Sequence, residues 1–537
     1  MPAAPEARNK SAYRSLILPA TVVGWTGLWW LSFTGIDLSA GATRGSQAIF
    51  RHEIDMSLQF SCVSICAVLF LLYFLVLKRW EQLDWKTVLR SGTLLGTVAW
   101  ACYPGVHSND ILAYVAYGRL MAIYHMNPWV HGYQHIVDAY SPYAWYPYPM
   151  PYGPVVAPFL LIAGYLSTVS VPCSFYFLKL CWLGIHLLNG WFIWRIAGML
   201  QDETRRASVY GSNVHTAARS WFTPECAAWA YLCNPLILLE TVDNGHCDLL
   251  YVFLCLASLE RFLQARQRTR AGIQALTLAV LGVLVKPVAL LLMATEGTVM
   301  AVWRRWAGAL GGLLVAGGLL WMTWETCLRS GRALRALTNP HFLTNAHSFH
   351  SLIAHMLGYG FPDFLWVYGS PKLTWLRTAI AVIYTIYCLS FLARLAMRTR
   401  GRRSEDAREK SFSEDISSPT VGVAREVAAT VQDLLETYLW LTLALVVFYS
   451  ARIWPWYITW MLPFGVLTKN GPLRRTTLVY SCTVLAIYAF PFSLDPKSLP
   501  LHTARVLFSS GLPLLWLLLD HTWSASRGMP AVDELAE

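Results

Sequence analysis

In HSNDILAYVAYGRLMAIYHMNPW, residues 107–129, Asp110 stands just past the end of an apolar run, and Arg119 follows nine residues later. A carboxylate at the edge of an apolar run is costly unless it is solvated, paired or used, which makes Asp110 a candidate catalyst. Aspartate after Ser and Asn is equally a good helix N-cap, and the local residues do not choose between cap and catalyst. Further on, YLCNPLILLETVDNGHCDLLY interrupts two apolar runs with Asp243, Asn244, Gly245, His246 and Asp248. Asn-Gly alone would make a turn. The added histidine and two carboxylates exceed what a turn needs and point to contact with a polar substrate.

Lys286 in LGVLVKPVALLL is a lone charge between apolar halves, and Pro287 can end the helix there so that the ammonium meets an anion, with phosphate the natural ligand. A snorkelling lysine is the plainer alternative. NPHFLTNAHSFHSLIAHML supplies His341, His347, His350 and His355. His347 and His350 share a helix face, a spacing that would suit a metal, but no carboxylate or cysteine accompanies them. A polar or phosphate ligand is therefore expected of His347 and His350, with no metal and no cofactor. YSARIWPWYITWMLP places Arg452, Trp454, Trp456 and Tyr457 at another boundary, where aromatic residues commonly form a belt, although Arg452 is more than a belt requires. The ten Tyr and Trp residues between Tyr114 and Tyr148 suit either sugar stacking or a membrane interface.

These residues are positioned by a chain built for a bilayer. Of 537 residues, 55% are hydrophobic and 14% charged, and apolar runs of about 18–25 residues recur, the length that crosses a hydrocarbon core. Candidate spans fall near 15–36, 58–77, 88–106, 174–198, 223–242, 247–263, 271–286, 287–303, 306–325, 374–395, 431–450, 457–469, 476–493 and 503–520. The expected fold is an all-α polytopic membrane protein of about 13–14 transmembrane helices. Short linkers throughout suggest a single transmembrane catalytic domain, 1–537.

The net charge of +11 does not call for nucleic acid, because the basic residues sit beside the apolar runs, where they set topology. If 152–171 does not span, most Lys and Arg, including the cluster from Arg394 to Arg425, fall on the cytoplasmic side with both termini. The first run, behind Arg8, Lys10 and Arg14, lacks a small-residue cleavage site and is expected to be retained. Two long outer loops, 107–151 and 326–373, are aromatic- and His-rich and look built to be ordered. The inner loop 396–430 is charged and Ser-rich and reads as a disordered cytoplasmic tether. The twelve cysteines lie mostly in apolar stretches, which argues against a disulfide framework or zinc site.

The order Asp110, Tyr152-Gly153-Pro154, Asn234-Pro235, Asn244-Gly245-His246-Cys247-Asp248, Lys286-Pro287 and Pro455-Trp456-Tyr457 resembles the polyprenyl-phosphate-mannose-dependent α-mannosyltransferases of bacterial membranes, in the GT-C superfamily. The resemblance covers about residues 90–470, and the NP…NGHxD block is its most specific part. It implies a GT-C-type fold in a multi-pass cell-membrane enzyme. It also implies that Asp110 is the general base, that Lys286 helps hold the lipid phosphate, and that Tyr152, the NGHxD block and the Trp456-Tyr457 pair lie near substrate. Cys247 departs from the commoner NGHND form.

The implied partners are a polyprenyl-phosphate sugar donor, a glycolipid or glycan acceptor, and membrane lipids. Such a donor is already activated, so one base must deprotonate the acceptor hydroxyl while cations stabilise the leaving phosphate. Direct attack inverts the anomeric centre and turns a β-linked donor into an α-linked product, α-1,6 by the resemblance. A lipid-linked sugar transporter or flippase, or the same fold using another polyprenyl-phosphate sugar, stands as the alternative. The absence of a clear internal repeat weakens the transporter.

Overall fold

The computed structural model describes residues 19–28, 30, 56–78, 83–102, 108, 110–134, 136–141, 144, 149–209, 223–328, 348–356, 371–412, 419–450, 453–489 and 499–526. Regular structure among the described residues is helical throughout, with no strand. The helices that concern the site begin with α1 (Met56–Leu77), α2 (Trp85–Ala101), α3 (Asp110–Ala122), α4 (Ala157–Leu166), α5 (Val171–Val209) and α6 (Pro224–Leu232). They continue with α7 (Asp248–Ala265), α8 (Thr269–Val283), α9 (Leu290–Val302), α10 (Trp306–Thr323), α11 (Phe349–Met356), α12 (Pro371–Phe412) and α13 (Pro419–Ala444).

Five stretches are long and apolar enough to cross a bilayer: Val171–Asp202, Trp306–Thr323, Trp375–Ser404, Glu426–Tyr449 and Pro500–Asp520. Four shorter apolar helices accompany them: Ser61–Leu77, Pro154–Leu166, Thr269–Val283 and Pro287–Val302. The chain is thus an all-α polytopic membrane protein.

Several expected spans are broken, each for a local reason. The run 223–242 splits at Asn234-Pro235. Proline has no N–H and pushes the preceding residue out of the helical region, so Asn234 is extended (φ −67°, ψ 123°) and its side chain caps Leu236 N and Ile237 N. The chain then passes into a π-turn, Leu238–Asp243. The run 457–469 is a tight helical turn, Pro455–Trp460, followed by Leu462–Gly465, with prolines opening both pieces. Tyr152 is followed by one such turn and α4, and a ten-residue helix rises about 15 Å, half a hydrocarbon core. The stretch from 396, expected as a tether, is helical to Phe412 and again from Pro419. There Arg402 pairs with Asp433 at 2.8 Å and Arg398 with the same carboxylate at 3.6 Å, so the charges are used in helix contacts.

The chain forms two compact units. The first comprises Met1–Pro151, Val156–Gly190 and Ala228–Leu249; the second comprises Tyr152–Val155, Trp191–Ala227 and Leu250–Glu537.

In the first unit α3 is apolar on all sides, and Ile111 to Gly118, Leu120 and Ala122 are all buried. Such a helix needs neighbours all round. It meets α4 at a glycine crossing, where a Cβ on Gly118 would lie 1.9 Å from the Leu160 carbonyl oxygen and one on Gly164 would lie 2.4 Å from Gly118. Only glycine permits this approach, and it fixes the helix that Asp110 opens. In the second unit the hydroxyl of Ser258 on α7 contacts both carboxylate oxygens of Glu296 on α9, at 2.7 and 3.0 Å, and the Ala275 carbonyl on α8.

Candidate active site

Asp110 is the first residue of α3, and its own N–H donates to Ser108 Oγ at 3.3 Å. Its carboxylate lies against the NGHCD turn: Asp110 Oδ2 is 3.4 Å from His246 Nε2, with the Asp110 side chain 17% exposed and His246 wholly buried. The Asp110 carboxylate thus turns to an imidazole, while Ser108 Oγ accepts at the helix start.

The turn is shaped by the π-turn before it. Asn244 N donates to Leu239 O at 2.8 Å, a five-residue return, and Gly245 follows at φ +76°. A Cβ at Gly245 would meet Ile111 Cδ1 at 2.4 Å, so glycine is required both by the left-handed backbone and by contact with Asp110's neighbour. His246 Nδ1 lies 2.6 Å from the Glu240 carbonyl oxygen and 3.4 Å from Glu240 Oε2, and Asn244 Nδ2 donates to that carboxylate at 3.2 Å. Asp248 opens α7, fully buried. Burial by itself would lower the His246 pKa. The hydrogen bond and charge of Asp110, with the charges of Glu240 and Asp248, outweigh it and hold the imidazole above its usual range. Asp110, Asn244, His246 and Asp248 thus form one cluster within the first unit, with Glu240 as a member that sequence reading passed over.

Beside it lies a second feature missed from sequence. Lys179 of α5, wholly buried, donates to the Cys102 carbonyl and to Ala99 O at 3.3 Å, and pairs with Asp243 Oδ1 at 3.4 Å. It takes the Cys102 carbonyl, adds a second donor to Ala99 O, and balances a carboxylate of the polar turn. Its signal was a lone lysine in the apolar string SFYFLKLCW. Glu240 was the same kind of signal in LILLETV.

In the second unit three motif fragments meet around Lys286. The chain at Tyr152-Gly153-Pro154 runs along the end of α8: Gly153 N donates to Val285 O at 3.1 Å, and a Cβ on Gly153 would overlap the Leu284 carbonyl. The half-buried Lys286 extends its ammonium over the rings of Tyr152 (5.6 Å), Tyr457 (5.2 Å) and Trp460 (4.5 Å). Tyr457 stacks on Trp460 at 4.2 Å, and Trp456 stacks on Trp454 at 5.0 Å. Cation–π attraction from three rings orients the ammonium. Trp460 was not anticipated, although it belongs to the same aromatic run.

Other expected site residues are placed elsewhere. Arg119 is held by Asp138 (3.0 Å) and Ser167 Oγ (2.7 Å) and lies over the Tyr140 ring, so it organises the loop after α3. Asp138 also accepts from Tyr124 and Tyr133 hydroxyls at 2.9 and 3.0 Å, tying these residues of the aromatic loop together. His350, on α11, is buried with Nδ1 3.2 Å from the Tyr449 carbonyl. His347 and Arg452 lie outside the described residues.

A polytopic helical membrane protein with a carboxylate–imidazole cluster on a broken helix, and with a caged lysine, has the elements of a membrane-embedded group-transfer enzyme. Residues 209–303 match a family model described as Alpha-(1->6)-mannopyranosyltransferase, N-terminal domain. The match supports a GT-C-like α-mannosyltransferase and marks the chain as a glycosyltransferase that takes mannose from a sugar donor to a glycan acceptor. The matched stretch carries Asn234-Pro235, the NGHCD turn and Lys286-Pro287; Asp110 lies before it. No curated protein and no solved structure matches the chain.

Proposed function

We propose that this membrane mannosyltransferase is an inverting enzyme that takes mannose from polyprenyl-phosphate-mannose and transfers it to a glycolipid or glycan hydroxyl at the outer face, forming an α-1,6 linkage, with Asp110 as general base. The observation that carries the proposal is the Asp110 carboxylate, partly exposed at the start of a buried helix and held 3.4 Å from a buried imidazole. A base must be fixed at one end of its reach and open at the other, and this carboxylate is both.

Asp110 removes the proton of the acceptor hydroxyl as that oxygen attacks the anomeric carbon. The bond to the lipid phosphate breaks on the opposite side, and the departing phosphate takes its electron pair. No cofactor enters, because the phosphate ester already activates the sugar. Lys286 is assigned to a phosphate oxygen of the donor, a role supported by an ammonium held over the rings of Tyr152, Tyr457 and Trp460. Asn244 and Asp248, as buried as His246, are assigned to the support of the turn behind Asp110, and Trp456 and Tyr457 to contact with the substrate. The protein is placed as a multi-pass cell-membrane enzyme with cytoplasmic termini.

The test supplies labelled polyprenyl-phosphate-mannose to membranes with and without the chain. Expected are an α-linked product in the first case and none with Asp110→Asn, while that variant still elutes as folded protein in detergent. Full transfer by Asp110→Asn removes Asp110 as base.

A further inference from the structure

Sequence reading treats His246 as a substrate contact, but it is completely buried and both ring nitrogens are already engaged within the protein. We infer that His246 is instead the positioning residue of the base: a buried imidazolium, clamped from behind by Glu240, that aims the Asp110 carboxylate. The inference rests on the base role proposed for Asp110.

The donor count and the surrounding carboxylates together support the charge. Nδ1 lies 2.6 Å from a carbonyl oxygen, which can only accept, so Nδ1 carries a hydrogen. Nε2 faces the Asp110 carboxylate, also an acceptor, and Ser108 Oγ, each at 3.4 Å. A neutral imidazole has one N–H and would have to take its Nε2 bond from the Ser108 hydroxyl; a ring that donates to the Asp110 carboxylate as well as to the carbonyl is doubly protonated, the form that Asp110, Glu240 and Asp248 favour.

Behind it stands Glu240, itself fully buried, with Oε2 3.4 Å from Nδ1 and fixed by Asn244 Nδ2. The charged groups facing the ring are Asp110 from α3, Glu240 from the π-turn and Asp248 from α7. The nearby cation Lys179 of α5 is taken by Asp243. Carboxylates on several sides of one imidazole favour its protonated form, and Glu240 supplies that charge from the side Asp110 does not occupy. When the proton leaves His246 at alkaline pH, Asp110 loses its donor and its aim.

The experiment reads the pH profile of kcat for mannose transfer from polyprenyl-phosphate-mannose by the full chain in detergent, with folding checked by size-exclusion elution. The wild-type profile is expected to fall on its alkaline side. Glu240→Gln, which removes the rear charge, is expected to move that fall to lower pH by about one unit. His246→Gln keeps a donor that does not titrate, so it is expected to retain part of the activity and flatten the alkaline side. His246→Ala is expected to lose on the order of 10²-fold in kcat with the donor KM little changed.

An alkaline fall at unchanged pH in either Glu240→Gln or His246→Gln, with Asp110→Asn inactive, overturns the positioning role alone. Full activity of Asp110→Asn overturns the base reading and this role with it. Should Glu240→Gln not fold, the His246→Gln profile decides.

Discussion

Gly245→Ala tests whether the turn that presents His246 depends on the one residue able to make it. Gly245 sits at φ +76°, where a side chain costs about 1–2 kcal/mol from the clash of Cβ with its own backbone. The new methyl would also lie 2.4 Å from Ile111 Cδ1 and 3.1 Å from Cγ1, and overpacking of this kind costs about 1–3 kcal/mol. The two effects together predict a loss of about 2–5 kcal/mol. They can be separated, because Ile111→Val deletes Cδ1, the closest atom, at a cost of about 0.5–1.5 kcal/mol on its own. The double variant should therefore be less destabilised than the sum of the singles by about 1–2 kcal/mol, leaving the backbone strain as the remainder.

Equilibrium unfolding in detergent micelles measures the cycle, and mannose transfer measures its consequence. Ile111 adjoins Asp110, so Gly245→Ala should lower transfer and the double variant should recover part of it. A single variant within about 0.5 kcal/mol of wild type, or a strictly additive cycle, would refute the assignment of strain and contact to this glycine.

Other outcomes follow from the same geometry. Gly118→Ala puts a methyl 1.9 Å from a backbone oxygen that cannot swing away, so α3 and α4 must part; folded yield should collapse, whereas Gly184→Ala, with nothing within 4 Å, should leave elution and thermal midpoint unchanged or slightly raised. Lys179→Met strands the buried Asp243 carboxylate and removes the donor to the Cys102 carbonyl, with an expected loss of about 3–5 kcal/mol in unfolding free energy; adding Asp243→Asn should recover part of it. The His246 pKa is raised on folding, so its contribution is complete below the unfolded value near 6.5 and is lost as pH rises through the folded one. The thermal midpoint of the wild type should consequently fall on the alkaline side more than that of His246→Gln.

The membrane class and most helices could be read from apolar runs, and the Asn-Pro, Asn-Gly and Lys-Pro breaks from residues whose backbone preferences are local. The partners of those breaks could not. Glu240 and Lys179 each stand alone in an apolar string, and nothing in the string says that one will face an imidazole and the other the end of a helix far away in sequence. A π-turn leaves no spacing signature, because it shifts the return bond by one residue without changing composition. The partner of Arg119 is hidden for a related reason: Asp138 lies nineteen residues on in a loop with no periodicity to place it. The charged stretch from 396 is poor in apolar residues, and nothing in it says that Arg398 and Arg402 will meet Asp433 of α13.

The irregular backbone and the polar residues at the Asp110 cluster are two sides of one requirement. In apolar surroundings an interrupted helix leaves carbonyl and amide groups that water cannot reach, so the interruption persists only where side chains replace the lost bonds. Here Asn234 caps the restarted helix, His246 takes the Glu240 carbonyl inside the π-turn, and Lys179 takes the carbonyls at the end of α2. Asn234, His246 and Lys179 thus answer the backbone first, and His246 and Lys179 use their remaining charge on Asp110 and Asp243. It follows that truncating His246 or Lys179 damages fold and chemistry together. His246→Gln keeps an amide donor for Asp110 and removes the titration, so its pH profile is more informative than the loss of activity.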